Sequence, residues 1–285
     1  MAPLEKSPIP QDSGFDFVGL KNLRNDIYPA IDVSKSSGLQ QPGKVVLITG
    51  AGRGIGRSMA IQYSYAKVSA IVICARTRSE LDEVADRVKE TSSAVTKVSD
   101  KFGRLDILIN NAGLSRPREP VGETDPEDYW QVLEVNLHGS LLLTHAFLPL
   151  LLKTAERQSS HVNIINVTSI GAVTVSPGGS SYSLAKLALQ KLSEFVGLEY
   201  SAKGVNVFGI HPGGVVTKLA NEIKEIKHLL TDEPELCGGF VVWLSNQDRR
   251  WLNGRYVSAT WDVETLESMR EEIEEGDKLK VKMVV

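Results

Sequence analysis

The chain has 285 residues, with 35 acidic against 32 basic side chains and a formal net charge of −3 at pH 7. This length suits one large α/β domain with a real hydrophobic core, and the balanced charge lacks the basic surface of a nucleic-acid-binding protein. The first residues carry no apolar segment of a signal peptide, and no uninterrupted apolar run reaches the length of a membrane span. We therefore expect a cytoplasmic protein that binds neither nucleic acid nor membrane.

Cysteine and histidine usage predicts a reducing compartment and no metal site. The cysteines are Cys74 and Cys237. Cys74 lies in an apolar strand pattern, which favours a buried thiol over a disulfide. The five histidines show no metal-ligand spacing with one another or with the cysteines.

Residues 1–42 are polar and contain proline, so they are predicted to be an N-terminal arm and not a domain. The arm residues that could hold parts of it on the surface are Phe15, Phe17, Val18 and Tyr28. Residues 43–262 are predicted to form the main domain, and residues 263–285 an acidic helix followed by a lysine-rich tail.

The first predicted strand of the domain runs directly into a glycine-rich turn. The apolar run 45–48 is followed by TGAGRGIG over residues 49–56, and a helix is predicted from Arg57 onward. Backbone amides at such a helix start can face a pyrophosphate, and the missing side chains let it approach. The alternative is a merely flexible turn, which the strand–turn–helix context disfavours.

The next two segments of the chain are shorter than a regular alternation of strands and helices requires. Residues 79–90 and 94–102 both show helical spacing, and the next strand begins soon after. No room remains for a strand between these helices, which are predicted to join near Thr91–Ser93. We interpret this as a deletion near residues 90–91, natural or from a mis-spliced gene model, which leaves the strand 70–74 at the sheet edge.

Three later strands end in polar residues. The strand 107–109 is followed by NNAG over residues 110–113, the strand 162–167 by Thr168 and Ser169, and the strand 205–210 by HPGG over residues 211–214. Doubly wound parallel sheets bind ligands at the carboxyl ends of their strands. We therefore expect these residues at one edge of the sheet, with Thr217 just beyond.

The segment SYSLAK at residues 181–186 places the Tyr182 phenol and the Lys186 ammonium four residues apart. On a helix this spacing puts both side chains on one face. A tyrosine has an unperturbed pKa of about 10, and a lysine cation close by is predicted to lower the pKa of Tyr182. Tyr182 could then exchange a proton with a carbonyl or an alcohol near pH 7. The alternative is an ordinary helix, because YxxxK occurs often by chance.

Together these motifs, in this order, resemble the short-chain dehydrogenase/reductase family over roughly residues 43–257. The resemblance implies an α/β fold: a single Rossmann domain with a doubly wound parallel sheet, here of six strands. It also implies hydride transfer between a nicotinamide and a substrate carbonyl. Tyr182 would exchange the proton, Ser169 would hold the carbonyl oxygen, and Lys186 would lower the Tyr182 pKa and bind the nicotinamide ribose. Asn136 matches a fourth catalytic position that supports a water relay, or else only kinks its helix.

The resemblance also assigns cofactor-binding residues. Besides Tyr182 and Lys186 these are Thr49, Gly50, Arg53, Gly54, Ile55, Gly56, Arg76, Asn110, Ala112, Gly113, Pro212, Gly213 and Thr217. NAD-binding relatives carry an acid after the second strand, whereas here the strand 71–74 is followed by Ala75 and Arg76. Arg53 and Arg76 would suit a 2′-phosphate, so we expect NADP. The alternative is two solvated surface arginines.

Substrate and partners are predicted more coarsely. No Arg or Lys lies between Ser169 and Tyr182, so a ketone or secondary alcohol on a hydrophobic small molecule fits better than a sugar acid. The helices that carry Asn136 and Tyr182 have more apolar surface than one sheet face needs, and in the family such a pair forms a dimer interface, so we expect a homo-oligomer. The segment 250–258 looks like fungal members, many of them tailoring enzymes of secondary metabolism. The competing hypotheses are a catalytically impaired relic and a nucleotide-binding protein with weakened cofactor affinity.

Overall fold

A computed structural model describes residues 14, 16–89, 102–158, 161–221 and 224–283. Within these ranges the strands form one parallel sheet in the order β2-β1-β3-β4-β5-β6. The strands are β1 Val45–Thr49, β2 Ala70–Cys74, β3 Ile107–Asn110, β4 Val162–Val167, β5 Val205–His211 and β6 Tyr256–Ser258. The predicted six-stranded doubly wound sheet is confirmed for the described part of the chain.

Helices connect the strands on both faces of the sheet. They are α1 Gly54–Tyr65, α2 Arg78–Lys89, α3 Pro126–Leu133, α4 Gly139–Gln158, α5 Ser180–Tyr200, α6 Lys218–Asn221, α7 Pro234–Asn246, α8 Val263–Ser268 and α9 Arg270–Glu275. A π-helical turn, Glu134–His138, joins α3 to α4. Short 3-10 helices lie at Leu20–Asn22, Pro29–Ile31, Ser37–Leu39, Ile170–Ala172, Ser201–Lys203, Lys224–Leu229 and Arg250–Leu252.

The central strands are apolar on both faces because both faces are covered. In β1, Val46 and Ile48 belong to the core beneath α1 and α7, whereas Val45 and Leu47 belong to the core beneath α4 and α5. This alternation is the period of two residues that a strand imposes on its side chains. It explains why β1 reads as an unbroken apolar run.

Strand β2 lies at the edge of the sheet among the described residues, as predicted. The predicted helix join at 91–93 lies outside the described residues, and so does the predicted helix 94–102 except for Phe102, which packs half-buried against the core beneath α4 and α5. Cys74, the last residue of β2, is exposed, so the expected buried thiol is wrong at this position. Burial declines along this edge strand from Ala70 to Cys74.

The segment before β1 contributes to the core and does not only lie on the surface. Ile31 and Val33 are buried in the core beneath α1 and α7. Arg24 forms a 2.7 Å ion pair with Asp262, and the Tyr28 hydroxyl accepts a 2.8 Å hydrogen bond from the Val263 amide. The described N-terminal residues are thus tied to the start of α8, although the predicted boundaries at 42/43 and 262/263 stay predictions.

The helical run Pro126–Gln158, 33 residues long, is apolar enough to cross a membrane by length and composition. This finding differs from the expectation that no segment could do so. Its inward face holds Val132, Asn136 and Ser140, whereas Trp130 and Leu141 are 62% and 43% exposed. Part of the apolar surface of this run therefore points away from the sheet.

Candidate active site

The glycine-rich turn after β1 has a backbone that side chains would block. Gly50 has a φ of +65°, and a Cβ there would lie 2.9 Å from Ala112 Cα. A Cβ on Gly56 would lie 2.5 Å from the Gly50 carbonyl oxygen. The missing side chains therefore let the start of α1 pack tightly beneath the turn, as a pyrophosphate cradle requires.

The loop after β3 is hydrogen-bonded to this turn. The Thr49 hydroxyl accepts from the Asn111 and Ala112 amides at 3.0 and 3.1 Å. The Asn111 side chain donates in return to the Thr49 carbonyl at 2.8 Å. Asn111 is a site residue that sequence reasoning did not single out, although it stands inside the NNAG motif. Its role is to hold two ligand-facing loops together.

The side chain of Asn110 points away from this loop. Its amide nitrogen donates to Asn166 Oδ1 at 2.8 Å and to Thr144 Oγ1 at 3.2 Å, inside the core. Only its backbone, at the end of β3, is placed to line a cofactor site. The structure thus gives the two neighbouring asparagines different tasks.

The loop after β5 brings Thr217 to the glycine turn. A Cβ on Gly54, whose φ is +53°, would lie 3.3 Å from the Thr217 methyl group. The Thr217 hydroxyl accepts from the Ala220 amide at 3.1 Å. Next to Pro212, the positive φ of Gly213 (+93°) turns the chain, and the Gly214 amide donates to Asp232 Oδ2 at 2.6 Å. The predicted cofactor residues of three loops therefore converge at one edge of the sheet.

Tyr182 and Ser169 face one another beside Lys186. The Ser169 side chain lies close enough to the Tyr182 phenol to lower its pKa, and Lys186 Nζ lies 5.5 Å from the centre of the tyrosine ring. Lys186 is 3% exposed and donates to the Val167 carbonyl at 2.8 Å. The end of β4 and the first turns of α5 thus bring together the hydroxyl, phenol and amine that the sequence predicted.

The expected lowering of the Tyr182 pKa is wrong for this structure. Burial raises the pKa of Tyr182 to about 12, against a smaller lowering by its hydrogen bond with Ser169. Burial also lowers the pKa of Lys186 to about 7, because desolvation penalises the ammonium. Near neutral pH the tyrosine therefore keeps its proton, while the lysine carries only part of a positive charge.

Ser169 is held by its neighbours on two sides. Its hydroxyl accepts from the Gly171 amide at 3.1 Å, and the amide of Ile170 donates to His211 Nδ1 at 3.2 Å. Burial lowers the pKa of His211 to about 4, so its ring is neutral at neutral pH, and the amide that Ile170 directs at Nδ1 places the ring proton on Nε2. His211 thus fixes the backbone beside Ser169, a task that the HPGG motif alone does not indicate.

Asn136 lies in the π-helical turn between α3 and α4 and is fully buried. Its amide nitrogen donates to the Leu114 carbonyl at 2.7 Å and to the Val132 carbonyl at 2.8 Å. Its Oδ1 accepts from the Leu114 amide at 3.3 Å. Asn136 therefore joins the irregular helix to the loop after Gly113, and its part in a water relay stays a prediction.

The two arginines predicted to bind a 2′-phosphate differ in the structure. Arg76 is exposed beyond the end of β2. Arg53 is instead paired with Glu80 of α2, with 2.9 Å between Nη1 and Oε1. Glu80 is a second residue that sequence reasoning missed, because it stands four residues beyond Arg76 and not directly after the strand.

No group of three or more His, Cys, Asp or Glu side chains that could hold a metal ion is found among the residues described by the structure. The candidate site is instead a glycine turn at a helix start, at the same edge of the sheet as the half-buried Ser169 and Tyr182 and the buried Lys186. The positive φ angles and the space closed to Cβ atoms fit the backbone of a dinucleotide cradle.

Known proteins resemble this chain along most of its length. The family described as short chain dehydrogenase matches residues 44–228. Short chain dehydrogenase mpl6 of Monascus purpureus is 41% identical over 299 aligned positions, which cover 97% of this chain and 99% of the relative. Short chain dehydrogenase pigC of Monascus ruber is 35% identical over 312 positions, which cover 100% of both.

The second alignment has about 27 positions more than the 285 residues of this chain, so about that many positions face a gap here. A strand of average length with its connections needs no more. The deletion near residues 90–91 stays a prediction.

Solved structures show the same fold. The 3-ketoacyl-(acyl-carrier-protein) reductase from Brucella melitensis, complexed with NADH, has a TM-score of 0.67 and 25% identity, covering 77% of this chain and 97% of its own. A protein from Escherichia coli CFT073, complexed with NADPH, has a TM-score of 0.69 and 24% identity, covering 79% and 99%.

Proposed function

Because this chain belongs to the short-chain dehydrogenase family and has fungal relatives along its whole length, we propose that it is an NADP-dependent oxidoreductase acting on a ketone or secondary alcohol. That it is an oxidoreductase follows from the family. The finer proposal depends on one observation: Ser169, Tyr182 and Lys186 lie together at the same edge of the parallel sheet as the glycine turn. In line with the fungal resemblance, we place it among tailoring enzymes of secondary metabolism, in the cytoplasm.

Ser169 and Tyr182 act on the substrate oxygen in different ways. The bound nicotinamide supplies or accepts the hydride at the carbonyl carbon. Ser169 holds the carbonyl oxygen by a hydrogen bond, and Tyr182 donates its phenolic proton to that oxygen as the alcohol forms. Lys186 lies next to the Tyr182 ring and would hold the nicotinamide ribose hydroxyls. In the oxidative direction Tyr182 accepts the proton instead.

The protonation states support reduction near neutral pH. With a pKa of about 12, Tyr182 is protonated and can act as an acid. Oxidation needs the phenolate, whose population rises only as the pH approaches that pKa. We therefore propose that Tyr182 acts as the proton donor when a carbonyl is reduced.

The substrate side of the site is apolar. Val175 is 96% exposed after β4, and Val216 and Leu229 are 59% and 41% exposed after β5. Val173 packs half-buried against the core. Such a wall favours a hydrophobic or aromatic ketone over a charged sugar.

Arg76→Ala should narrow the preference for NADPH over NADH by roughly tenfold, the scale of one charge-assisted hydrogen bond. Arg76 is exposed beyond β2, where it can bind a 2′-phosphate. Dissociation constants of both cofactors, measured by nicotinamide fluorescence, would show the change. Arg78→Ala is the matched control, since Arg78 pairs with Asp82 on the exposed side of α2. Equal affinities in the unmodified protein would contradict the NADP proposal.

We also propose a homo-oligomer formed through the helices that carry Asn136 and Tyr182. On α4, Leu142 is 54% exposed, and on α5 Phe195 and Leu198 are 62% and 80% exposed. This surface belongs in part to the helix that is apolar enough for a membrane. A second copy of the chain would cover it without lipid.

Leu142→Lys or Phe195→Lys should convert the oligomer to monomer, because an ammonium in an apolar interface is costly. Light scattering during size-exclusion chromatography would measure the mass. Leu20→Lys, at a residue 67% exposed near the N-terminus, should leave the mass unchanged. A monomeric unmodified protein would contradict the proposal, and its flotation with lipid vesicles would show that a membrane covers the surface instead.

One experiment separates the proposed function from its alternatives. NADPH is titrated into the purified protein, and a panel of aromatic and aliphatic ketones is then added. Binding followed by NADPH oxidation supports the proposed reductase. Binding without turnover on any ketone favours a nucleotide-binding protein, and no binding favours an impaired relic.

A further inference from the structure

Glu80 lies where the glycine turn meets the residue after β2. A Cβ built on Gly52 would be 2.9 Å from Glu80 Oε2 and 3.3 Å from Ala75 Cβ. The carboxylate is therefore packed against the turn, although Glu80 comes from the first turn of α2. It stands at the place where the sequence shows no acid after the strand.

The Glu80 carboxylate also forms an ion pair with Arg53. The ion pair spans 2.9 Å, and the side chains of Arg53 and Glu80 are 47% and 31% exposed. A guanidinium that is bonded to a carboxylate has fewer donors left for a phosphate. Glu80 thus acts on the arginine most closely attached to the glycine turn.

The expected position of an adenosine ribose lies between the glycine turn and the end of β2. A carboxylate at this position accepts hydrogen bonds from ribose hydroxyls, as an acid does in NAD-binding sites. A 2′-phosphate instead brings a second negative charge next to Glu80, and it must compete with Glu80 for Arg53. Glu80 should therefore strengthen binding of the unphosphorylated cofactor and weaken binding of the 2′-phosphorylated one.

We propose that Glu80 is a specificity-determining residue that weakens binding of 2′-phosphorylated cofactor relative to the unphosphorylated one. This inference rests on the proposed nicotinamide-dependent function. It predicts that the unmodified protein discriminates between NADPH and NADH less than its two arginines alone would allow. Glu80, which lies on helix α2, would then contact the ribose in place of the acid that is missing directly after β2.

Glu80→Gln tests the proposal with little change of shape. The ratio of affinities for NADPH over NADH should rise roughly five- to tenfold, the effect of removing one screened charge at short range. Adenosine 2′,5′-bisphosphate and 5′-AMP, titrated by calorimetry, should show the same change without any nicotinamide chemistry. Circular dichroism and thermal unfolding confirm that the variant is folded.

Glu83→Gln is the matched control. Glu83 lies on the same helix and pairs with Arg57 of α1, so the same charge is removed from a similar ion pair. In Glu83→Gln the ratio of affinities for NADPH over NADH should change less than twofold, because Glu83 is not packed against the turn at Gly52. An equal rise in both variants would mean that only net charge matters, and it would overturn the proposal.

The remaining outcomes separate this inference from the proposed function. An unchanged or lower ratio in Glu80→Gln overturns the inference even if the unmodified protein prefers NADPH. A rise in the ratio supports it even if the unmodified protein prefers NADH, which would refute only the NADP assignment. If neither the bisphosphate nor AMP binds, both the inference and the cofactor proposal are wrong.

Discussion

Replacing Tyr182 with phenylalanine is expected to lower kcat for ketone reduction by about a hundredfold or more, the contribution of a positioned general acid. The substitution removes the phenolic proton but keeps the ring that lies beside Lys186. NADPH binding should stay within about twofold, because the glycine turn and the loops around it are unchanged. Stopped-flow measurement of NADPH oxidation, together with a fluorescence titration, would determine both quantities.

Tyr200→Phe is the control for this substitution, because Tyr200 ends the same helix away from Ser169. It should retain the rate of the unmodified protein. Turnover of Tyr182→Phe at a near-normal rate would remove Tyr182 from its role as proton donor. The candidate acid would then have to be sought elsewhere in the site.

Lys186→Met should also lower kcat/KM by about a hundredfold or more, but without a matching loss of stability. Lys186 is the buried lysine next to the Tyr182 ring, and it donates to the Val167 carbonyl at 2.8 Å. Methionine fills a similar volume and removes a buried charge, which is often neutral or stabilising. The loss of a donor to the carbonyl offsets this gain, so the free energy of unfolding should change by less than about 2 kcal/mol.

The effect of Lys186→Met on the free energy of unfolding should depend on pH. Burial lowers the pKa of Lys186 to about 7 from an ordinary value of 10.5, so between these pH values the unfolded chain holds more protons on Lys186 than the folded chain. This residue therefore favours unfolding most at pH 7 and below, and the penalty disappears as the pH rises to 10.5. Any stabilisation by Lys186→Met should be greatest near neutral pH and decline on the alkaline side.

Lys191→Met provides the comparison in urea-unfolding and rate measurements. Lys191 lies on the same helix, but its side chain is 41% exposed and pairs with Glu194. It should alter neither the rate nor the pH dependence of stability. A Lys186→Met variant with unchanged kcat/KM would show that the lysine is only a core residue.

The edge position of β2 bears on both aggregation and cofactor binding. Residues 90–101 lie outside the described part of the chain, while β2 is an edge strand in the part that is described. An apolar edge is a hazard for aggregation. In the proposed enzyme this edge also borders the adenosine site, because Arg76 follows it directly.

The sequence by itself determined most strands of the sheet and indicated which residues lie at its ligand-binding edge. Apolar runs marked β1 to β5, and the glycine turn, the NNAG loop and the Tyr182–Lys186 spacing indicated one ligand edge of a doubly wound sheet. These signals are local: strand period, glycine content and helical spacing depend on residues that are neighbours in the chain. The edge position of β2 followed from counting the residues that remained for a strand.

Only the tertiary structure decided how these residues act on one another. The sequence shows neither that Asn110 points inward while Asn111 joins two loops, nor that His211 holds the backbone beside Ser169. The sequence also could not show that Glu80 pairs with Arg53, or that burial raises the pKa of Tyr182 and lowers the pKa of Lys186. Burial and pairing depend on segments distant in the chain, and at Tyr182 desolvation outweighs the opposing effect of Ser169.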